Sequence, residues 1–291
     1  MMRVLITGSN GQLGQSINEQ IENDNFAVFE QVDLPDFDIT DEAFIKKYLL
    51  KNKPDVIVNC AAYTAVDKAE EDTETAHSVN TLGAKWLGKY SAACGGKVIH
   101  ISTDYVFDGQ HNLPLTPFDK ANPKSVYGKT KLAGEQELVK ENPNSIIIRT
   151  SWLYSPFGHN FLKTMLRLGK EKNEINVVFD QTGTPTSALD LASAIISVIK
   201  KMNENSESFQ PGIYHYSNQG VCSWYDFAVT IFKIAGIHCK VNPVFSCDFP
   251  AVAPRPVYSV LDKSLFIAKF GGEIPHWTNG VERCLQHKEF N

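Results

Sequence analysis

Six cysteines are scattered through the 291 residues, and no two of them form a C-x-x-C pair. A zinc site or a disulfide framework needs closer, patterned spacing, so Cys60, Cys94, Cys222, Cys239, Cys247 and Cys284 read as reduced, buried thiols. A cytoplasmic setting is expected. No stretch reaches the roughly 20 apolar residues of a membrane span, and the start M-M-R-V-L-I-T-G is apolar over too few residues for a signal peptide, so no contact with a membrane is expected. A basic excess is missing too. With 28 Lys and Arg against 33 Asp and Glu, the formal net charge is -5. Nucleic acid is therefore not an expected partner, and any anionic ligand must be met by local groups. Internal repeats and low-complexity segments are absent. What remains, 43% hydrophobic and 21% charged residues, suits a globular chain with one large core, or one large and one small.

Short β-branched runs recur through the first half: V-L-I at 4–6, F-A-V-F at 26–29, D-V-I-V-N at 55–59, K-V-I-H-I-S at 97–102 and S-I-I-I-R at 145–149. Amphipathic stretches such as 41–50 and 73–93 fill the gaps. This alternation predicts an α/β fold with a doubly wound parallel sheet of Rossmann type and right-handed crossovers. After Thr150 the pattern loosens into Gly, Pro and aromatic clusters with helical runs near 187–201 and 223–235. Residues 1–151 are expected to form a dinucleotide-binding domain, to which roughly 176–215 return. Residues 152–291 are expected to be mainly a smaller, mixed C-terminal lobe.

The first strand runs into G-S-N-G-Q-L-G at residues 8–14, ahead of a helical segment. Glycine allows positive φ and close backbone approach, and the following helix N-terminus offers unpaired N–H groups to a pyrophosphate. Gly8, Asn10, Gly11, Gln12, Leu13 and Gly14 are the expected cofactor loop. The spacing is G-x-x-G-x-x-G, a variant of the usual dinucleotide fingerprint. Asp38 and Ile39, after the second strand, could flank an adenine. Ala61, Ala62, Tyr63 and Thr64, after the third, could pass close to ribose and phosphate.

Tyr127 and Lys131 stand four apart and would share a helix face. A nearby ammonium stabilises a phenolate, so Lys131 is expected to lower the pKa of Tyr127 and tune it as a proton exchanger. Ser102 and Thr103 end the fourth strand, beside the start of that helix. Hydroxyl, phenol and ammonium together supply the hydrogen bonds a carbonyl needs as hydride arrives.

With G-S-N-G-Q-L-G at 8–14, N-C-A-A-Y-T-A-V-D-K-A-E at 59–70, S-T-D-Y-V-F-D-G at 102–109, V-Y-G-K-T-K-L-A-G-E at 126–135, I-R-T-S-W-L-Y at 148–154, N-F-L-K-T-M at 160–165, D-Q-T-G-T-P-T at 180–186 and Arg255-Pro256, the chain resembles the extended short-chain dehydrogenase/reductases. The likeness is to their dTDP-4-dehydrorhamnose reductase branch and covers nearly the whole chain. It implies hydride transfer from NADPH or NADH to C4 of dTDP-4-dehydro-L-rhamnose, giving dTDP-L-rhamnose for cell-surface polysaccharide. It also implies that Tyr127 is the proton donor, that Lys131 binds the nicotinamide ribose and that Thr103 polarises the ketone. Asp104 and Trp152 look like sugar-nucleotide contacts, and residues 152–291 become mainly the sugar-nucleotide lobe.

In related enzymes an arginine placed like Arg255 holds the diphosphate, although an arginine between two prolines is otherwise a surface residue. Asn160 could touch the sugar nucleotide or cap the helix that starts there. Trp224 reads as core. No Lys or Arg occurs between Arg3 and Lys46, while Asp33, Asp36 and Asp38 do, which leans towards NADH; the family accepts NADPH as well. Some members pair through a metal held by acidic residues. Gln15 occupies one such position here, so no metal is expected, and the chain should be a monomer or homodimer. An epimerase or dehydratase on the same fold and a non-catalytic NAD(P)-binding regulatory subunit are the alternatives. Dehydratases carry Asp-Glu where this chain has Asp104-Tyr105, and the regulatory role does not need Thr103, Tyr127 and Lys131.

Overall fold

The computed structural model describes residues 1–290 except 23, 111 and 250. The five expected strands form as β1 (Met2–Thr7), β2 (Ala27–Val32), β3 (Val56–Asn59), β4 (Lys97–Thr103) and β5 (Ser145–Thr150). A sixth, β6 (Gly212–His215), comes from a stretch that reads in sequence as a loop. The six pair in parallel in the order β6-β5-β4-β3-β1-β2. Successive side chains of a strand face opposite sides, and both sides are apolar here, as a doubly covered sheet requires.

On one side Val4, Ile6, Val58, Ile99 and Ile148 pack against helices α1 (Gln12–Ile21) and α5 (Ala188–Glu204). On the other side Leu5, Ile57, Val98 and Ile147 pack against α2 (Glu42–Asn52), α3 (Ala84–Ala92) and α4 (Val126–Glu141). The side chain of Asp41 caps α2 by accepting from Phe44 N at 2.9 Å, and Ser125 caps α4 by accepting from Gly128 N at 3.1 Å.

The stretch 73–93, expected as one helix, is broken. Thr73–His77 is α-helical, Ser78–Gly83 widens to a π-helical turn, and only then does α3 begin. A π-turn inserts a residue into the helix and re-aims its side chains, often at functional sites.

The remaining chain builds a second core around Tyr154, Leu162, Phe227, Ile231, Trp277 and Val281. Strand Glu174–Val178 pairs in parallel with Lys240–Val244 beside it. Among the described residues no helix is long and apolar enough to cross a membrane.

Strand order reverses between β1 and β3, so the crevice of the sheet opens at the carboxyl ends of those two strands. Thr7 and Asn59 end them, in register with each other.

Candidate active site

Gly8 leaves β1 with φ +68, and a Cβ on it would lie 2.5 Å from Ala61 N. The first glycine is needed because the ends of β1 and β3 nearly touch. At Gly14 a Cβ would lie 2.3 Å from Gly8 O, so the third glycine lets α1 press onto the loop. Gly11 differs: its Cβ would meet only Gly8 O, at 3.2 Å, and it faces open space. No side chain caps α1, whose N-cap is Gly11. Its first-turn N–H groups and positive dipole end therefore suit an anionic cofactor group.

Asp33 holds this loop by accepting from Asn10 N at 2.8 Å. Gln15 donates to Asn10 O at 2.6 Å. Leu13 is buried in the core under the loop. The Gln12 side chain points to the second lobe, accepting from Ser155 Oγ at 3.1 Å and Asn160 Nδ2 at 3.0 Å.

The pair expected to flank an adenine divides. Ile39 is buried and turned towards Gly83, so any contact with a base falls to its backbone. Asp38 Oδ1 accepts from both Thr40 N and Thr40 Oγ1 and fixes the turn before α2. After β3 the chain through Ala61, Ala62, Tyr63 and Thr64 lies along the crevice, with Thr64 exposed. Asn80, in the π-turn, clamps it by accepting from Tyr63 N at 2.9 Å and donating to Tyr63 O at 3.2 Å. The same Asn80 amide reaches Thr130 Oγ1 on α4 at 3.1 Å.

Thr103 ends β4, buried. Its hydroxyl donates to Asp104 Oδ1 at 3.0 Å and accepts from Tyr105 N at 3.2 Å. Tyr127, in the first turn of α4, sits beside it. Burial pushes the Tyr127 phenol up to about 12; the Thr103 hydroxyl pulls it down and the Asp104 carboxyl pushes it up.

The expected lowering of Tyr127 by Lys131 is not found. Lys131 Nζ turns back to the sheet, donating to Ile101 O at 2.7 Å and lying 3.3 Å from His100 Nε2. Its own burial pushes the amine down to about 8, against the raising influence of Glu135. Burial also pushes Asp104 up to about 7, opposed by the hydroxyls of Thr103 and Ser259.

Beyond these residues a cleft of about 1360 Å³ separates the sheet from the second lobe, and Tyr105, Trp152, Gln181, Trp224 and Arg255 line it. Trp152 has φ 48, a left-handed conformation that a bulky residue adopts only when its surroundings enforce it. Its carbonyl accepts from Thr186 N at 3.1 Å, and its ring stacks on Trp224 with centroids 3.6 Å apart. Trp224, read in sequence as core, is thus half-buried wall of the cleft, anchored by donation to Gln181 Oε1 at 3.2 Å. Asn160 is a cap: Oδ1 accepts from Lys163 N, and Nδ2 is held by Gln12, Ser155 O and Phe157 O. Arg255 crosses to Asp67, after β3, at 2.6 Å.

A family model described as RmlD substrate binding domain matches residues 2–290. The chain belongs to the RmlD family. It is 40% identical over 288 residues to a dTDP-4-dehydrorhamnose reductase of Sinorhizobium fredii, covering 98% of this chain and 97% of that protein. Among solved structures, a dTDP-4-dehydrorhamnose reductase of Clostridium acetobutylicum superposes with TM-score 0.93 at 44% identity, covering 98% of this chain and 99% of that one. The Bacillus anthracis dTDP-4-dehydrorhamnose reductase, solved with NADP, gives 0.92 at 39% identity over 98% and 99%.

Sequence reasoning missed several residues that assemble this RmlD-family site. Asp67 and Glu70 lie in the charged stretch after β3 and carry no motif of their own. Asp67 accepts from both Arg255 and Ala253 N, and Glu70 Oε1 accepts from Val126 N, the residue before Tyr127, at 2.8 Å. Glu135 sits one turn past Lys131. It is buried and forms a two-point bridge with Arg149 at 2.9 and 2.6 Å, which ties α4 to β5. The spacing of Lys131 and Glu135 on one helix face was the available signal. For Asn59 there was none beyond its position at the end of a strand, and for His100, inside β4, and Asn80, in the π-turn, there was none.

Proposed function

We propose that this chain is a dTDP-4-dehydrorhamnose reductase, using NADPH or NADH as reductant and a nucleotide sugar as substrate. Residues 1–151, with roughly 176–215, would carry the dinucleotide, and residues 152–291 mainly the nucleotide sugar. The observation that carries this reading is the adjacency of the Tyr127 and Thr103 hydroxyls between two spaces. Lys131, one turn along the helix from Tyr127, turns to the sheet at Ile101 O and His100, beside the Asn59 end of β3 where the crevice opens, while Tyr105, edge-on to Tyr127 at 5.4 Å, lines the cleft.

The open face of Gly11 and the uncapped start of α1 fit a dinucleotide diphosphate. When bound, the reduced nicotinamide supplies a hydride. The chain's own residues do the rest. Thr103 donates a hydrogen bond to the C4 oxygen, which requires its hydroxyl to turn from Asp104 to the substrate. Tyr127, held protonated at neutral pH by its burial, gives its proton to that oxygen as negative charge develops on it. An alkoxide is a stronger base than a buried phenolate, so the transfer needs no phenolate-stabilising charge in advance. Lys131 would hold the cofactor ribose. Arg255, released from Asp67, would hold the sugar-nucleotide diphosphate, with Asp104 and Trp152 orienting the sugar.

Asp33, at the end of β2, is placed where it would oppose a 2′-phosphate, which supports NADH as well as the NADP seen with the Bacillus anthracis relative. The test is oxidation of NADH and of NADPH on addition of dTDP-4-dehydrorhamnose, with the product identified by mass spectrometry and NMR. Consumption of neither cofactor, in protein that binds at least one of them, would overturn the reading.

A further inference from the structure

Thr7, Asn59 and His100 stand opposite one another on β1, β3 and β4, and form one polar row across the sheet at the carboxyl ends of β1 and β3. All three are buried, as is Lys131 at its end, with relative exposures of 0%, 1%, 1% and 1%. A row of this kind inside an apolar core persists only if each polar atom is partnered, and the partners then fix where every proton sits.

The proton positions follow from one backbone group. Ala61 N–H can only donate, and it points at Asn59 Oδ1 at 3.1 Å, alongside the Thr7 hydroxyl at 2.8 Å. The Asn59 amide is therefore oriented with Nδ2 towards His100 Nδ1, 3.0 Å away. An NH₂ group can only donate, so Nδ1 accepts. A neutral imidazole has one accepting nitrogen and one N–H. His100 is held neutral because burial, reinforced by the Lys131 charge, pushes it well below the usual histidine range. Its proton is thus on Nε2, directed at Lys131 Nζ.

We propose that the Thr7–Asn59–His100 row is a tautomer lock: it presents an N–H donor to Lys131, so that His100 is a positioning residue that sets when Lys131 carries its proton. An N–H facing Nζ is satisfied by the lone pair of a neutral amine and repelled by an ammonium. The other groups facing Lys131 do not reverse this. Ile101 O accepts an N–H from either form. Burial pushes the Cys60 thiol up to about 12, so it stays uncharged at neutral pH. Glu135 favours the ammonium, yet its carboxylate is bound on both oxygens by Arg149, and Ser102 donates to it as well.

The inference rests on the reading of Lys131 as the ribose contact. Ribose hydroxyls favour the ammonium, so above the free-protein pKa, about 8, binding must take up a proton. Cofactor affinity should then fall as pH rises through that range.

Three measurements test this. In the wild-type protein carrying ¹⁵N-labelled histidine, without cofactor, His100 should show the Nε2–H tautomer throughout pH 6 to 9. An Nδ1–H tautomer, or an imidazolium in that range, would overturn the lock, and this arm needs no variant to fold. Cofactor binding titrated against pH should show its alkaline fall in the wild type. His100→Leu removes the facing donor. Asn59→Asp reverses the row, since a carboxylate accepts from Nδ1–H and leaves an Nε2 lone pair for an ammonium. Both should move the fall up by about one pH unit or more. Lys131→Met should lack it. A fall that persists in Lys131→Met overturns the ribose assignment, whereas a fall lost in Lys131→Met but unmoved in folded His100→Leu and Asn59→Asp overturns the lock alone.

Discussion

The guanidinium of Arg255 donates to Asp67 at 2.6 Å, and the other oxygen of the same carboxylate accepts Ala253 N at 3.1 Å. One acidic residue following β3 thereby holds the loop that carries the cleft's arginine. Exposed ion pairs of this kind contribute little stability, so an arriving diphosphate can replace the carboxylate without a large loss. Arg255→Ala should raise KM for the nucleotide sugar by about 10- to 100-fold, the expected result of losing a charged hydrogen bond. Asp67→Ala should also raise KM, because the loop loses its anchor. Titration with NADPH or NADH should give unchanged affinity in both; a KM that does not move in Arg255→Ala makes it a surface residue.

The three glycines of the loop should respond differently to substitution. Gly11→Val places its branches in open space, so the protein should fold and melt as the wild type does, yet lose cofactor binding in fluorescence titration. Gly14→Ala sets a Cβ against the Gly8 carbonyl and should lower Tm whether or not cofactor is present. Equal cofactor affinity in Gly11→Val and wild type would remove this loop from the site.

Tyr127→Phe keeps the ring edge-on to Tyr105 and removes only the hydroxyl. General acid catalysis is typically worth about 10²- to 10⁴-fold, and kcat should fall by that order with cofactor affinity retained. Retention of about half the wild-type kcat, with chemistry rate-limiting, would exclude Tyr127 as the donor. Lys131→Met should weaken cofactor binding as well as kcat.

Asp104 gives a pH signature in stability. Its folded pKa, about 7, lies above the ordinary carboxyl value of about 4, so the native state keeps a proton that the unfolded chain has released. Its contribution is complete below about pH 4 and is lost as pH rises through about 7. Asp104→Asn cannot ionise. Relative to wild type, its Tm should therefore rise more at pH 8 than at pH 5 in thermal melts followed by circular dichroism. A pH-independent difference would place the ionisation elsewhere.

Five of the six strands were legible because each is a run of β-branched residues bounded by turn residues, and the parallel order followed from the helices between them. The sixth, G-I-Y-H at 212–215, is too short and too mixed to stand out. Its place is decided by pairing with β5. The π-turn S-V-N-T-L-G was hidden because its composition suits an α-helix. Tyr127, Thr103 and Lys131 were legible as neighbours from their spacing, but the direction of Lys131 was not. That direction is set by the Ile101 carbonyl and His100, which belong to a different strand. Asn160 was open between two uses in sequence; the hydrogen bonds around its amide make it the cap, and it also lines the cleft.

β5 is buried along its whole length, and among the described residues the strand that closes its edge is Gly212–His215, which follows the chain's excursion through the other lobe. A protein cut after residue 151 would present that edge, rich in isoleucine, as a template for another chain. The two lobes are therefore poor units for exchange. A chimera that takes residues 152–291 from a relative imports the strand that seals the recipient's sheet. It would remain soluble only where the imported strand and the resident β5 still match.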